Sequence, residues 1–319
     1  MATTISELTP ATTLEAGFYA VYDVRELKKK DGAPFLRARL RDATGQVEAV
    51  VWDNLEEANS ALVVGKVVKV RGKVAKAFKG DGVEITVEKV RPARDDEYSA
   101  EALLPRSDHP EAELIRSLRA MVESLRPELK AIVWAALEPE LSRFASWPGA
   151  AELHHAWVGG LLEHTLEVAS LADTIVRTVP PGPDRDLTVA GALLHDVGKL
   201  DAYDVTTTFA ATDSGRLIGH VLTGYHRVQV ACDEVHAPTD LTLRLLHIVA
   251  SHHGQLEFGA AREPATAEAI VIHYADELSA QLMQVRGAVA RITDGSRRWT
   301  DRVPGLKRDV FVGDLGRED

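Results

Sequence analysis

Apolar positions keep two different rhythms along this chain. Up to about residue 98 they fall in short runs with period-two stretches, and beyond it they recur at helical spacing. Gly17–Leu27 carries Phe18, Ala20, Val21, Val24 and Leu27, with Tyr19 and Tyr22 between them, and predicts a strand. Lys28-Lys29-Lys30-Asp31-Gly32 reads as a turn. Phe35–Leu40 alternates, Asp42-Ala43-Thr44-Gly45 turns the chain again, and Val47–Trp52 is a third short strand. Asn54–Leu62 has helical composition, with Asp53 or Asn54 as cap. Lys66–Lys76 alternates, placing Lys69, Arg71 and Lys73 on one face and Val68, Val70 and Gly72 on the other. Lys79-Gly80-Asp81-Gly82 is a hairpin signal, and Val83, Ile85, Val87 and Lys89 complete a fifth strand.

Three strands, a short helix and two strands is the order of an OB-fold, a small all-β barrel whose exposed face and loops bind single strands. The face of Lys69, Arg71 and Lys73 and the loop of Lys28, Lys29 and Lys30 suit a phosphate backbone. Phe35, Trp52 and Phe78 could stack bases. A plainer reading stands beside this one: lysines on an edge strand also guard against aggregation, and aromatics in a small barrel are often core.

The second rhythm predicts helices over Glu111–Leu125, Leu129–Leu137 after Pro127, Trp157–Val179, Asp186–Leu194, Gly219–Val235, Leu241–Ser251 and Thr266–Ala290. Phe209–Leu217, broken by Asp213-Ser214-Gly215, reads as a hairpin or irregular loop. The expected organisation is an OB-fold domain over 1–97, a linker over 98–108, an all-α domain over 109–291 and a tail over 292–319.

Composition sharpens this division. The 319 residues carry a net charge of −11, which taken alone argues against a nucleic-acid binder. The charge is uneven: residues 1–98 have 16 basic and 16 acidic residues, whereas 99–319 have 21 and 32. Nine of twelve lysines lie in the first segment, and all twelve histidines lie after residue 108. A lone cysteine, Cys232, excludes a disulfide framework and fits a reducing, cytoplasmic compartment. The longest apolar run considered, Ala131–Leu137, has seven residues, so no membrane span is expected, and Met1–Thr13 shows no secretory signal.

Polar residues interrupt the helices where apolar ones are expected. His164 lies beside an apolar helix face, His195-Asp196 ends the run Val189–Leu194, and His220 opens a helix. His252-His253 ends Leu245–Ser251, and Asp276 interrupts Ala269–Ala275. Burying a lone carboxylate or imidazolium costs several kcal/mol unless it is paired or metal-bound, so several together suggest a shared cation. His247 and His273 on apolar faces read as satisfied core histidines, and His109, His226 and His236 carry no functional expectation.

The pattern His164, His195-Asp196 and Asp276 resembles the HD superfamily of metal-dependent phosphohydrolases. The phrases HHAWVGGLLEHTLEVASLAD (154–173), DLTVAGALLHDVGKL (186–200), GRLIGH (215–220) and LHIVASHHGQLEFG (246–259) are similar to the YhaM-type 3′→5′ exoribonucleases, in which an OB-fold precedes an HD domain. The resemblance covers about residues 15–290. It implies that His164, His195, Asp196 and Asp276 hold one ion. Asp196 would bridge to a second ion held by His220 and by His252 or His253. Two ions can generate a nucleophile and shield the transition state. Imidazoles with two aspartates suit manganese first, or iron, cobalt or zinc, better than magnesium. Lys199, one turn after Asp196, could reach a phosphate oxygen or be a simple surface lysine. His154 and His155 could touch substrate or shape the helix start. Gly159-Gly160 would permit close packing.

The function implied is a metal-dependent 3′→5′ exonuclease on single-stranded RNA, with single-stranded DNA as a further substrate. One alternative is a phosphohydrolase of nucleotides or cyclic dinucleotides, disfavoured because Gly254–Gly259 lacks the GYP-bearing motif of cyclic-di-GMP hydrolases. Another is a non-catalytic single-strand binder with a vestigial HD domain. A homo-oligomer stays open. The cluster Arg297-Arg298-Trp299 could touch a strand, touch a neighbouring subunit, or lie in a solvated tail.

Overall fold

The computed structural model describes residues 2–77, 82–99, 102–151, 155–179, 182–290, 292 and 297–313. They divide into two compact units, Met1–Arg106 with Val205–Ala210, and Ser107–Asp204 with Ala211–Asp319.

In the first unit, β1 (Thr13–Lys28), β2 (Pro34–Asp42), β3 (Gly45–Val51), β4 (Val67–Lys76) and β5 (Val83–Pro92) close a barrel in the order β1-β2-β3-β5-β4. The long β1 pairs antiparallel with β4 through its first half and with β2 through its second. Parallel pairing of β3 with β5 completes the ring. The helix α1 (Leu55–Ala61) lies between β3 and β4, as an OB-fold requires. Inward residues fill the barrel: Leu14, Val21, Leu36, Leu40, Val68, Val70 and Ile85 are buried. Tyr19 is also core, its hydroxyl donating to the Thr3 carbonyl at 2.9 Å. Gly72 sits at a bulge in the β4–β5 ladder, where a Cβ would overlap the Thr86 carbonyl oxygen. The expected turn at Lys79-Gly80-Asp81, and Phe78, lie outside the described residues. Val205–Ala210 joins this unit through Thr207 Oγ1, which donates to Gly65 O at 2.6 Å, and through Phe209, buried beneath the Arg41 guanidinium.

The second unit is helical. Its main elements are α2 (Glu111–Glu123), α3 (Pro127–Leu137), α4 (Leu141–Ser146), α5 (Gly160–Thr178) and α6 (Arg185–Leu194), followed by α7 (Lys199–Ala202), α8 (Asp213–Leu217), α9 (His220–Glu234), α10 (Thr239–Ser251) and α11 (Ala267–Ala290). Pro127 opens α3 at its first turn, where its missing N–H costs nothing. The stretch expected as a hairpin or loop is divided: Phe209–Ala211 (β7) pairs with Tyr203–Val205 (β6), and α8 follows, its cap Thr212 Oγ1 accepting from Gly215 N at 2.9 Å. The cap of α6 is Asp184, which accepts from Leu187 N at 3.1 Å. Every residue from Leu187 to Leu194 is buried, so α6 is the central helix, packed against α3, α5, α10 and α11. No helix among the described residues is long and apolar enough to cross a membrane.

Candidate metal centre and nucleic-acid face

Two of the site histidines stand where buried helices end. His195 follows the last residue of α6, and His252 follows the last residue of α10. A helix end leaves carbonyls without partners. Here the ring of His195 meets Ala192 O through Nδ1 at 2.7 Å, and that of His252 meets Val249 O through Nδ1 at 2.8 Å. A carbonyl only accepts, so each Nδ1 carries a proton, and Nε2 is the nitrogen that a neutral ring would offer to a cation. Both Nε2 atoms are buried without a hydrogen-bond partner, as is Asp196 Oδ1. Such atoms are costly unless something absent from the polypeptide engages them.

Asp196 is the centre of the cluster. Its Oδ2 lies 3.2 Å from His195 Nε2 and 3.4 Å from His164 Nε2. Its Oδ1 lies 3.4 Å from His220 Nε2 and 3.7 Å from His252 Nε2. Asp276 Oδ1 is 3.1 Å from His164 Nε2 and 4.0 Å from His195 Nε2. His253 Nε2 approaches His220 Nε2 to 2.9 Å. Around Asp196 the donors form two groups that could each hold an ion, His164 with His195 and Asp196, and His220 with His252 and His253; a third group, His155 with His164 and Glu167, shares His164. All seven residues expected as ligands come together, and both His252 and His253 are among them. The backbone keys the two groups to one another. A Cβ on Gly198 would overlap the His220 carbonyl oxygen.

Protonation states suit a cation. Burial opposes ionisation of Asp196, but Lys199 and His195 outweigh it and hold the carboxyl well below its usual range. Asp276 is lowered too, burial being outweighed by His164 and His195. Burial keeps His220 neutral, its pKa pushed down to about 4, and lowers His252 and His253. His164 is the exception: burial is overcome by Asp196 and Asp276, which raise it to about 9.

Lys199 is not on the surface. It is buried, its Nζ 2.6 Å from Asp196 Oδ2, and burial of the ammonium is outweighed by that partner. His155 is buried with φ +51°, its Nε2 3.2 Å from Glu167 Oε2. His154 lies outside the described residues. Gly160 allows close packing: a Cβ there would overlap the His155 carbonyl oxygen. His247 and His273 are partly buried and hydrogen-bonded, His247 Nε2 accepting from Ala265 N at 2.8 Å and His273 Nδ1 meeting His252 O at 3.0 Å. Two residues were missed from the sequence. Ser279 Oγ lies 3.3 Å from His164 Nδ1 and donates to Glu167 Oε2 at 2.8 Å. The signal was available: Glu167 and Ser279 each follow a recognised residue, His164 and Asp276, by one helical turn.

On the barrel, Lys69, Arg71 and Lys73 lie on one exposed side of β4, but the face is mixed in sign. Lys69 pairs with Glu97 at 3.6 Å, Arg71 with Glu15 at 3.5 Å and Lys73 with Glu88 at 3.6 Å. A cleft of about 420 Å³ crosses this face, lined in part by Lys69, Arg71, Lys89 and Arg91. Near the Lys28–Lys30 loop, Phe35 stacks on Trp52, ring centroids 4.7 Å apart, and Lys29 Nζ lies 5.1 Å from the Trp52 ring. Trp52 is 38% exposed.

A histidine-ringed buried carboxylate in a helical unit, on one chain with an OB barrel, defines a protein of the HD class fused to a nucleic-acid-binding fold. Family models agree: an HD domain matches residues 161–281, and an OB-fold nucleic acid binding domain matches 21–93. The 3′-5′ exoribonuclease YhaM of Bacillus velezensis is 30% identical over 283 residues, 88% of each chain. The chain belongs to this YhaM-type family. Among solved structures, the second OB-fold domain of replication protein A from Methanococcus maripaludis is 28% identical, covering 31% of this chain and 98% of its own, with a TM-score of 0.24. The SSB domain of a Synechococcus sp. protein is 14% identical, covering 25% of this chain and 97% of its own, with a TM-score of 0.22.

Proposed function

We propose that this protein is a metal-dependent 3′→5′ exonuclease that hydrolyses phosphodiester bonds of single-stranded RNA, and of single-stranded DNA as a second substrate. The observation that carries the reading is Asp196, whose two oxygens face separate histidine groups. A carboxylate so placed suits a pair of divalent cations, manganese foremost, with His164, His195 and Asp276 on one side and His220, His252 and His253 on the other. When bound, such cations supply an activated water and positive charge for the phosphoryl group in flight.

The chain's own groups set the stage for that chemistry. Nδ1–H bonds to Ala192 O and Val249 O fix two rings with Nε2 inward. Lys199 holds Asp196 ionised, and beside the reacting phosphate it adds charge where charge develops. On the barrel, Phe35 and Trp52 offer a stacking platform to bases, while Lys28, Lys29 and Lys30, with Lys69, Arg71 and Lys73, attract the backbone. Membership of the YhaM-type family supports the polarity and the substrate.

The test is a 5′-labelled single-stranded RNA incubated with Mn²⁺, with and without chelator, beside mononucleotides and cyclic dinucleotides. A metal-dependent ladder shortening from the 3′ end is expected. Turnover of the small substrates alone would overturn the assignment in favour of a nucleotide phosphohydrolase.

A further inference from the structure

The C-terminal segment 297–313 stands apart in charge from the unit that carries it. Residues 99–296 hold 15 Lys and Arg against 27 Asp and Glu, whereas 297–313 hold five against two. The segment is ordered as a hairpin. Trp299 bridges Phe311 and Val303 bridges Arg308, with Thr300 N donating to Val310 O at 2.9 Å. Its inner side is anchored: Val303 and Thr300 are buried, and Gly305 N donates to Gln284 Oε1 of α11 at 2.9 Å. Its outer side carries two large rings in water, Trp299 54% and Phe311 52% exposed, tilted together at 5.0 Å. The Arg298 guanidinium lies 5.0 Å from the Phe311 ring. A cleft of about 440 Å³ runs beside them, lined by Arg297, Arg298, Trp299 and Arg302 and also by Asp301 and Asp309. Arg297 is paired with Asp301 at 2.6 Å.

Exposed paired rings are a poor surface for water, and a core would have buried them. Rings interleaved with guanidiniums form the surface that single-stranded nucleic acids use, bases stacking on π-faces and phosphates meeting cations. We propose that this hairpin is a second single-strand contact of the protein, separate from the barrel, with Trp299 and Phe311 stacking bases and Arg298 and Arg302 meeting phosphates. The proposal rests on the nucleic-acid reading given above. It accounts for a basic aromatic element in an otherwise acidic unit.

The experiment measures binding of a fluorescent oligouridylate to the full chain in chelator, which keeps the strand intact. Trp299→Ala should weaken affinity about 5- to 100-fold, the loss of one stacked base, and Trp299→Phe should restore most of it. Arg298→Ala should lower the salt slope by about 1. Oligonucleotides bearing 4-thiouridine should crosslink to the peptide containing Trp299. Circular dichroism reports folding, and Phe311→Ala serves if Trp299→Ala does not fold. Unchanged affinity in folded Trp299→Ala and Phe311→Ala overturns the proposal. Loss in Trp52→Ala with none in Trp299→Ala would sink the hairpin alone, whereas no loss in either would sink the single-strand reading as well. A Trp299→Ala protein of altered mass in solution but unaltered strand affinity would place a second copy of the chain on this face, and overturn it too.

Discussion

Ser279 Oγ donates to Glu167 Oε2 over 2.8 Å, and that one proton decides how His164 can sit. With its proton committed, the hydroxyl can only accept, so His164 must offer Nδ1–H across 3.3 Å. Nε2 is then left for Asp196 and Asp276, or for a cation. His195 and His252 reach the same state through backbone carbonyls, whereas His164 depends on a side chain. Ser279→Ala should therefore weaken metal affinity about 10- to 100-fold. Competition with a chromogenic chelator reads the change directly. An affinity equal to wild type would show that Ser279 does not set the ring.

Asp196→Ala should abolish cleavage while leaving strand binding, because the residue between the two histidine groups is lost. It should also reduce stability by about 3–5 kcal/mol, since Lys199 Nζ, 2.6 Å from the carboxylate, becomes a buried cation without its partner. Adding Lys199→Met should recover much of that loss without recovering activity. Urea unfolding of the single and double variants separates the two effects; additive losses would contradict the coupling.

Metal uptake should release a proton from His164. In the metal-free protein Asp196 and Asp276 overcome burial and raise this group to about 9, so it is protonated at neutral pH. A cation needs the neutral ring, and the proton must leave. Affinity should rise by about tenfold per pH unit below pH 9 and level off above it. Calorimetry in buffers of different ionisation enthalpy measures the proton count. Buffer-independent heats at pH 7.5 would contradict it.

Trp52→Ala should weaken single-strand binding by about 1–3 kcal/mol, because it removes the exposed half of the Phe35–Trp52 stack. Lys29→Ala, whose ammonium lies over the same ring, should chiefly reduce the salt dependence. Fluorescence anisotropy at several salt concentrations distinguishes the two. Equal behaviour of wild type and Trp52→Ala would remove the platform from the binding account.

Much of this was legible in the sequence because each signal was local. Alternation over Lys66–Lys76 and stripes such as Leu114, Leu118 and Val122 each depend on a few neighbouring residues. The clustering of these histidines and aspartates was legible because ionisable groups sat in apolar runs, and burying them unpaired is expensive. What escaped depends on tertiary placement. Glu167 and Ser279 carry only a weak local mark, their one-turn spacing from His164 and Asp276, and their contact forms only when α5 and α11 come together. Lys199 read as a phosphate contact with a surface lysine as the plainer alternative, and its ion pair with Asp196 escaped because that distance is set by a turn after α6. The mixed sign of the β4 face also escaped, since Glu15 and Glu88 come from β1 and β5. The return of Val205–Ala210 to the barrel unit has no local mark beyond an apolar Phe209.

Gly198 turns the separation of the two histidine groups into a dimension of the main chain. Side chains can relax by changing rotamer, but a methyl group on the Gly198 Cα would overlap the carbonyl oxygen of His220. The ruler of the centre is therefore made of peptide units, which no rotamer change can lengthen. Even alanine at this position would act as a wedge, parting the turn that carries Asp196 from the helix that carries His220, and would separate the two histidine groups while leaving every one of their donors in the chain.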